Sequence, residues 1–89
     1  MYKQVFSIRL KKAREMNGLT QREVSKETGI KQPTLAGYET GKTEPNIDTI
    51  GSLAEFYGVS VEWLFGLGAQ GRNPNYYDEL GIKNEKLAN

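Results

Sequence analysis

TQREVSKETGIKQPTLAGYETG, running from Thr20 to Gly41, is the stretch whose reading decides the fold. Thr20 is a natural N-cap, and Glu23 three residues later completes a capping box, so a helix is expected from Gln21. Val24, Thr28 and Ile30 are expected to lie inward, with Ser25 a small residue where another backbone can approach. Gly29 stops this helix, because the C′ position calls for a left-handed backbone that glycine adopts without a Cβ clash. Helix resumes at about Gln32. Pro33 sits in its first turn, where a missing N–H costs nothing. Leu35 and Tyr38 are expected to point inward, and Gly41 ends the segment. The stretch therefore reads as two short helices around a tight turn.

Upstream, Phe6, Leu10 and Ala13 give an i, i+4, i+7 stripe, predicting a helix over roughly Lys3 to Met16 that stops at Asn17-Gly18. Lys11 and Lys12 fall on its water-facing side. Downstream, Pro45 sets an exit and Asn46 caps a fourth helix over about Ile47 to Tyr57. Its inward face is Ile50, Leu53, Ala54 and Tyr57, helped by Ile47. Gly58 terminates it, and Ser60 caps a short fifth helix from Val61 to about Phe65. The aromatics Phe56, Tyr57, Trp63 and Phe65 could form a stacking platform for single strands. At helical spacing beside a small core they read first as packing. After Phe65 the glycines Gly66, Gly68 and Gly71 read as a linker. Asn73 could cap a short helix over Pro74 to Leu80, with Gly81 as its stop. Tyr76, Tyr77, Leu80 and Ile82 form a small apolar set that either packs back on the domain or extends a dimer interface.

Composition narrows the function classes. The 89 residues suit one small domain. No cysteine and no histidine occur, which removes disulfides, thiolate nucleophiles, the usual zinc sites and imidazole-based triads. No stretch reads as a signal peptide or a membrane span, so a cytoplasmic protein is expected. Net charge is +1, but it is unevenly spread. Residues 1–42 carry nine Lys or Arg against four acids, a net of +5, whereas residues 43–65 carry four acids and no base. Such asymmetry suits one face turned toward phosphate, and equally an ordinary solvated charge distribution.

Two helices joined by three or four residues with a glycine in the turn are the helix-turn-helix signature. The stretch resembles the Cro/repressor-type helix-turn-helix family of phage repressors and xenobiotic-response-type bacterial regulators. The resemblance rests on Leu19-Thr20-Gln21, Val24-Ser25, Gly29-Ile30, Leu35, Tyr38-Glu39, Gly41-Lys42 and Pro45. It extends upstream through Phe6, Leu10 and Arg14. Downstream it runs through Ile50, Leu53, Ala54, Gly58-Val59-Ser60-Val61 and Trp63-Leu64, covering about residues 4–66. It implies an all-α, five-helix repressor-like domain over residues 1–66. Residues 67–89 would be a C-terminal extension serving as a dimer or partner contact.

The resemblance also implies roles. The third helix would enter the major groove, with base edges met by Lys31, Gln32, Thr34 and Gly37. Lysine can donate to guanine O6 and N7, and glutamine can bond adenine bidentately. Pro33 and Gly37 depart from the family, since both stand where polar readers are usual. Close backbone approach, to DNA or to another helix, or tolerated drift would account for Gly37. Gln21, at the start of the second helix, would lie beside a DNA phosphate. Lys42 and Thr43, with nearby backbone amides, would flank the DNA backbone. Glu44 departs from the family and suits that place only if it points away. Arg14 reads either as an exposed arginine complementing a helix C-terminus or, by the resemblance, as the ion-pair partner of Glu39. The pair is favoured because both members are present.

The function implied is sequence-specific binding of double-stranded DNA by a homodimer on an inverted repeat. That describes a transcriptional regulator, foremost a repressor, with no cofactor, metal or membrane involved. An antitoxin or other partner-binding module on the same fold, using residues 67–89 to hold a protein, is the alternative. An enzyme would need paired carboxylates or a Lys/Ser device in a cleft. The acids are instead expected at solvent-facing helical positions, and Gly66-Leu67-Gly68 lacks the context of a phosphate loop.

Overall fold

A computed structural model describes residues 1–67, and these form five α-helices with no strand among the described residues. They are α1 (Tyr2–Met16), α2 (Gln21–Thr28), α3 (Gln32–Thr40), α4 (Ile47–Tyr57) and α5 (Val61–Leu64). Most boundaries have a local cause. The capping box is reciprocal: the Glu23 amide donates to Thr20 Oγ1 at 3.1 Å and the Thr20 amide to Glu23 Oε1 at 2.8 Å. Asn46 Oδ1 accepts from the Thr49 amide at the start of α4, and Ser60 Oγ from the Trp63 amide at the start of α5. Gly29 and Gly41 close α2 and α3 with φ of 80° and 81°, a left-handed backbone that other residues adopt only under strain.

The core is one cluster drawn from every helix. Leu10, Val24, Leu35, Leu53 and Leu64 are its largest fully buried members, with Phe6, Ala13, Ala54, Tyr57 and Trp63 completing it. Truncating one of these leucines to alanine costs about 2–5 kcal/mol in a typical core, a large fraction of a small domain's stability. Helices α1 and α5 are joined further by Phe6 stacked on Phe65, with ring centroids 5.5 Å apart. Arg9 lies 4.7 Å over the Trp63 ring and donates to the Trp63 carbonyl at 2.7 Å. Asn17 ties α1 to the end of α4 by donating through Nδ2 to the carbonyls of Ala13 and Tyr57.

Some sequence-based expectations differ from the structure. Ile47 does not join the inward face of α4: it is 84 % exposed, whereas Ile50 three residues on packs against the core. Thr28, Ile30 and Tyr38 are half-buried at the core margin rather than inside it. Ser7, by contrast, is buried and returns its hydroxyl to the Lys3 carbonyl at 2.9 Å, so a polar residue can lie on the inward face without an orphaned group. Trp63 and Tyr57 are core residues and Phe65 packs against that core, which leaves no aromatic platform for a single strand. The helix expected over Pro74–Leu80, the apolar set Tyr76, Tyr77, Leu80 and Ile82, and nearly all of the extension 67–89 lie outside the described residues.

Candidate nucleic-acid interface

The site is built from the first residue of α2, the start of α3 and the loop after α3. Arg14, near the end of α1, reaches across to the last turn of α3. It donates through Nε to Glu39 Oε2 at 2.8 Å and through Nη2 to Glu39 Oε1 at 3.0 Å. Its remaining nitrogen, Nη1, donates to the Leu19 carbonyl at 2.8 Å. The pair is nearly desolvated, with side-chain exposures of 12 % and 2 %. The hydrogen bond to Glu39 pushes the Arg14 pKa above its ordinary value, against the opposing effect of burial. The arginine therefore stays charged, and its fork geometry fixes how α1 sits against α3. Glu39 is also an acid buried in the fold, contrary to the expectation that every acid faces solvent.

Glu39 does more than hold Arg14. Its Oε1 also accepts from Gln21 Nε2 at 3.0 Å, and Gln21 Oε1 in turn accepts from Gln32 Nε2 at 2.7 Å. Four side chains from three helices thus form one continuous relay, Arg14–Glu39–Gln21–Gln32. Its direction follows from elementary chemistry. An ionised carboxylate only accepts, so Gln21 must present its NH2 to Glu39 and its oxygen to Gln32. Gln32 must then present its NH2 inward, which leaves its oxygen an acceptor for something outside the protein. Sequence reading placed Gln21 and Gln32 at the interface but missed the bond between them. Partners 11 and 18 residues apart leave no local signal.

The other sequence-named residues fall around this relay. Lys31 and Gln32 are exposed with Pro33 at the α3 N-terminus, where Lys31 is the N-cap residue. Thr34 is half-buried one step further along. Lys42 and Thr43 are exposed in the loop after α3. Their backbone amides are turned inward, donating to the Gly37 carbonyl at 3.0 and 3.3 Å. These two amides are therefore engaged within the fold. Glu44 lies 3.7 Å from Lys3 Nζ, an exposed pair of small energetic weight that draws the carboxylate toward α1. At Gly37 an added Cβ would lie 2.6 Å from Thr43 Oγ1, so what crowds this position within the fold is a loop side chain and neither another helix nor a backbone.

Among the described residues no group of three or more His, Cys, Asp or Glu side chains is placed to hold a metal ion, and no helix is long and apolar enough to cross a membrane. A helix-turn-helix family model matches residues 10–64, the span containing α2, α3 and the helices that support them. The HTH-type transcriptional regulator ImmR of Bacillus subtilis is 35 % identical over 77 residues, covering 86 % of this chain and 53 % of that protein. The transcriptional repressor RstR of the cryptic phage CTXphi in Vibrio cholerae is 35 % identical over 60 residues, or 67 % of this chain and 54 % of RstR. An HTH-type transcriptional regulator of Methanocaldococcus jannaschii is 33 % identical over 57 residues, 64 % of this chain and 86 % of that protein. This chain belongs to the Cro/repressor-type helix-turn-helix family, whose members are DNA-binding regulators rather than enzymes. It spans about half the length of ImmR and RstR.

Proposed function

We propose that this chain is a sequence-specific double-stranded DNA-binding regulator of transcription, acting in the cytoplasm as a homodimer on an inverted repeat. A repressor of bacterial, phage or mobile-element origin is the reading closest to its relatives, one of which is named as a phage repressor. The observation that carries it is the relay ending on Gln32. A glutamine at the first position of α3, its amide direction fixed from behind, offers an oxygen to adenine N6 and a remaining N–H to adenine N7. Helix α3 would lie with its N-terminus in the major groove, with Lys31 donating to guanine and Thr34 touching a thymine methyl or a phosphate. Gln21, Lys42 and Thr43 would hold the sugar–phosphate backbone, which sets register without reading sequence. Two copies would place two α3 helices about 34 Å apart, one turn of duplex.

The experiment is a binding titration at several salt concentrations. It compares a duplex from the promoter of the chain's own gene with a random duplex, for the parent chain and for Lys42→Ala. A promoter preference of at least about a thousandfold is expected for a specific regulator. Lys42→Ala should weaken both duplexes alike and lower the salt slope by about one. Equal, weak and wholly salt-labile binding to both duplexes would count against the proposal.

A further inference from the structure

The chain has no side chain at position 37, midway along α3, yet the space there is filled. An ideal Cβ on Gly37 would sit 2.6 Å from Thr43 Oγ1 and 3.7 Å from Thr43 Cβ and Cγ2. The Gly37 carbonyl also binds the same loop. It accepts from the amides of Gly41, Lys42 and Thr43, and Thr40 Oγ1 also approaches it at 3.3 Å. The loop is therefore drawn onto the helix at Gly37 by hydrogen bonds, and only glycine leaves room for the hydroxyl that arrives with it. Gly37 has no positive-φ requirement, since it lies inside α3 and is absent from the left-handed glycines. A mid-helix glycine is about 1 kcal/mol less favourable than alanine, so its presence here needs a packing reason.

We propose that Gly37 is a positioning residue for DNA binding and not a reader of bases. It admits Thr43 Oγ1 onto the exposed face of α3, where a residue-37 side chain would otherwise lie, and so fixes the Lys42–Thr43 loop beside the DNA backbone. Any side chain at 37 forces Thr43 to rotate its hydroxyl away or the loop to recede. Either movement removes a backbone contact, which is common to all sequences. This assignment rests on the DNA-binding reading given above.

The test is a double-substitution cycle on the full chain, using Gly37→Ala, Thr43→Ala and both together. Affinity is measured for a random duplex and for a duplex enriched from a random library by the parent chain. Thermal melting is recorded for each variant. Gly37→Ala should melt within a few degrees of the parent, because the helix preference of alanine offsets the displaced hydroxyl. It should nonetheless bind both duplexes about tenfold more weakly, the expected loss of one hydrogen bond to a charged group. Thr43→Ala should show the same uniform loss. Gly37→Ala should cost nothing further in the Thr43→Ala background, where the conflict at 2.6 Å is gone. Unchanged affinity of Gly37→Ala would overturn the assignment while leaving the DNA-binding reading intact. So would a loss confined to the enriched duplex, or full additivity with Thr43→Ala. Failure of the parent chain to bind either duplex would overturn the DNA-binding reading, and this assignment with it.

Discussion

Gln21 donates through Nε2 to Glu39 Oε1 at 3.0 Å, and this bond sets which way the Gln21 amide points. A glutamine at the N-terminus of a helix ordinarily samples several rotamers and both amide directions. Here the carboxylate that anchors Arg14 also selects one of them, and the selection passes on to Gln32.

Gln21→Leu should therefore act at a distance from the base it affects. The side chain keeps its volume but can no longer bond Glu39 or Gln32. The fold should survive, since Gln21 lies outside the buried core. Affinity should fall for all duplexes through the lost backbone contact. Discrimination should fall further, at the base pair proposed for Gln32. Binding titrations against single-base operator variants check this.

Glu39→Gln should be the most damaging single polar change in the domain. It leaves the Arg14 guanidinium nearly buried without its counter-charge, a situation that typically costs about 3–5 kcal/mol. Urea unfolding measures the loss. The pair is more an orienting device than a source of stability, so the double replacement Arg14→Met with Glu39→Met should recover much of that loss. It should not recover discrimination, because methionine at 39 offers Gln21 no carbonyl or carboxylate oxygen to accept its N–H.

Tyr57 offers a contrasting case of a buried polar group. Its hydroxyl is buried with no hydrogen-bond partner among the described residues. Burial, aided by the Glu39 charge, pushes its pKa from 10.0 to about 12. The unfolded chain therefore loses this proton first. The contribution is fully present below pH 10 and is lost as pH rises through about 12, at up to about 1.4 kcal/mol per pH unit. Tyr57→Phe should be neutral or stabilising at pH 7, since no bond is lost and a desolvated hydroxyl is removed. The variant should also lose stability less steeply than the parent between pH 10 and 12. Thermal melts of both chains across that range provide the comparison.

Thr20→Ala removes one half of a reciprocal cap and should destabilise the domain by about 1 kcal/mol, as N-cap substitutions typically do. Thr20 also opens the stretch that made the fold legible. Caps, stop glycines and apolar spacing act within a few residues, so Thr20, Glu23, Gly29, Asn46 and Ser60 mark the helices before any tertiary contact is known. The stripe Phe6, Leu10, Ala13 likewise predicts a buried face. What the sequence did not yield is non-local or depends on helix ends. The Gln21–Glu39 and Gln21–Gln32 bonds join separate helices. Ile47 has the right spacing for the core but, as the first residue of α4, stays exposed. Ser7 is buried because its own helix satisfies its hydroxyl. Gly37 was recognisable as a departure, but its cause, Thr43, lies beyond the helix end. Arg14 and Glu39 were paired through the family resemblance, since nothing in their spacing of 25 residues would bring them together.

On the proposed reading, the relay from Glu39 through Gln21 aims Gln32 at an adenine. The most direct measurement is selection of duplexes from a random library by the parent chain and by Gln32→Ala, each pool sequenced. The parent pool should fix an adenine at one position of each half-site, and Gln32→Ala should relax that position alone. The same preference in both pools, or a site with no adenine that depends on Gln32, would contradict it.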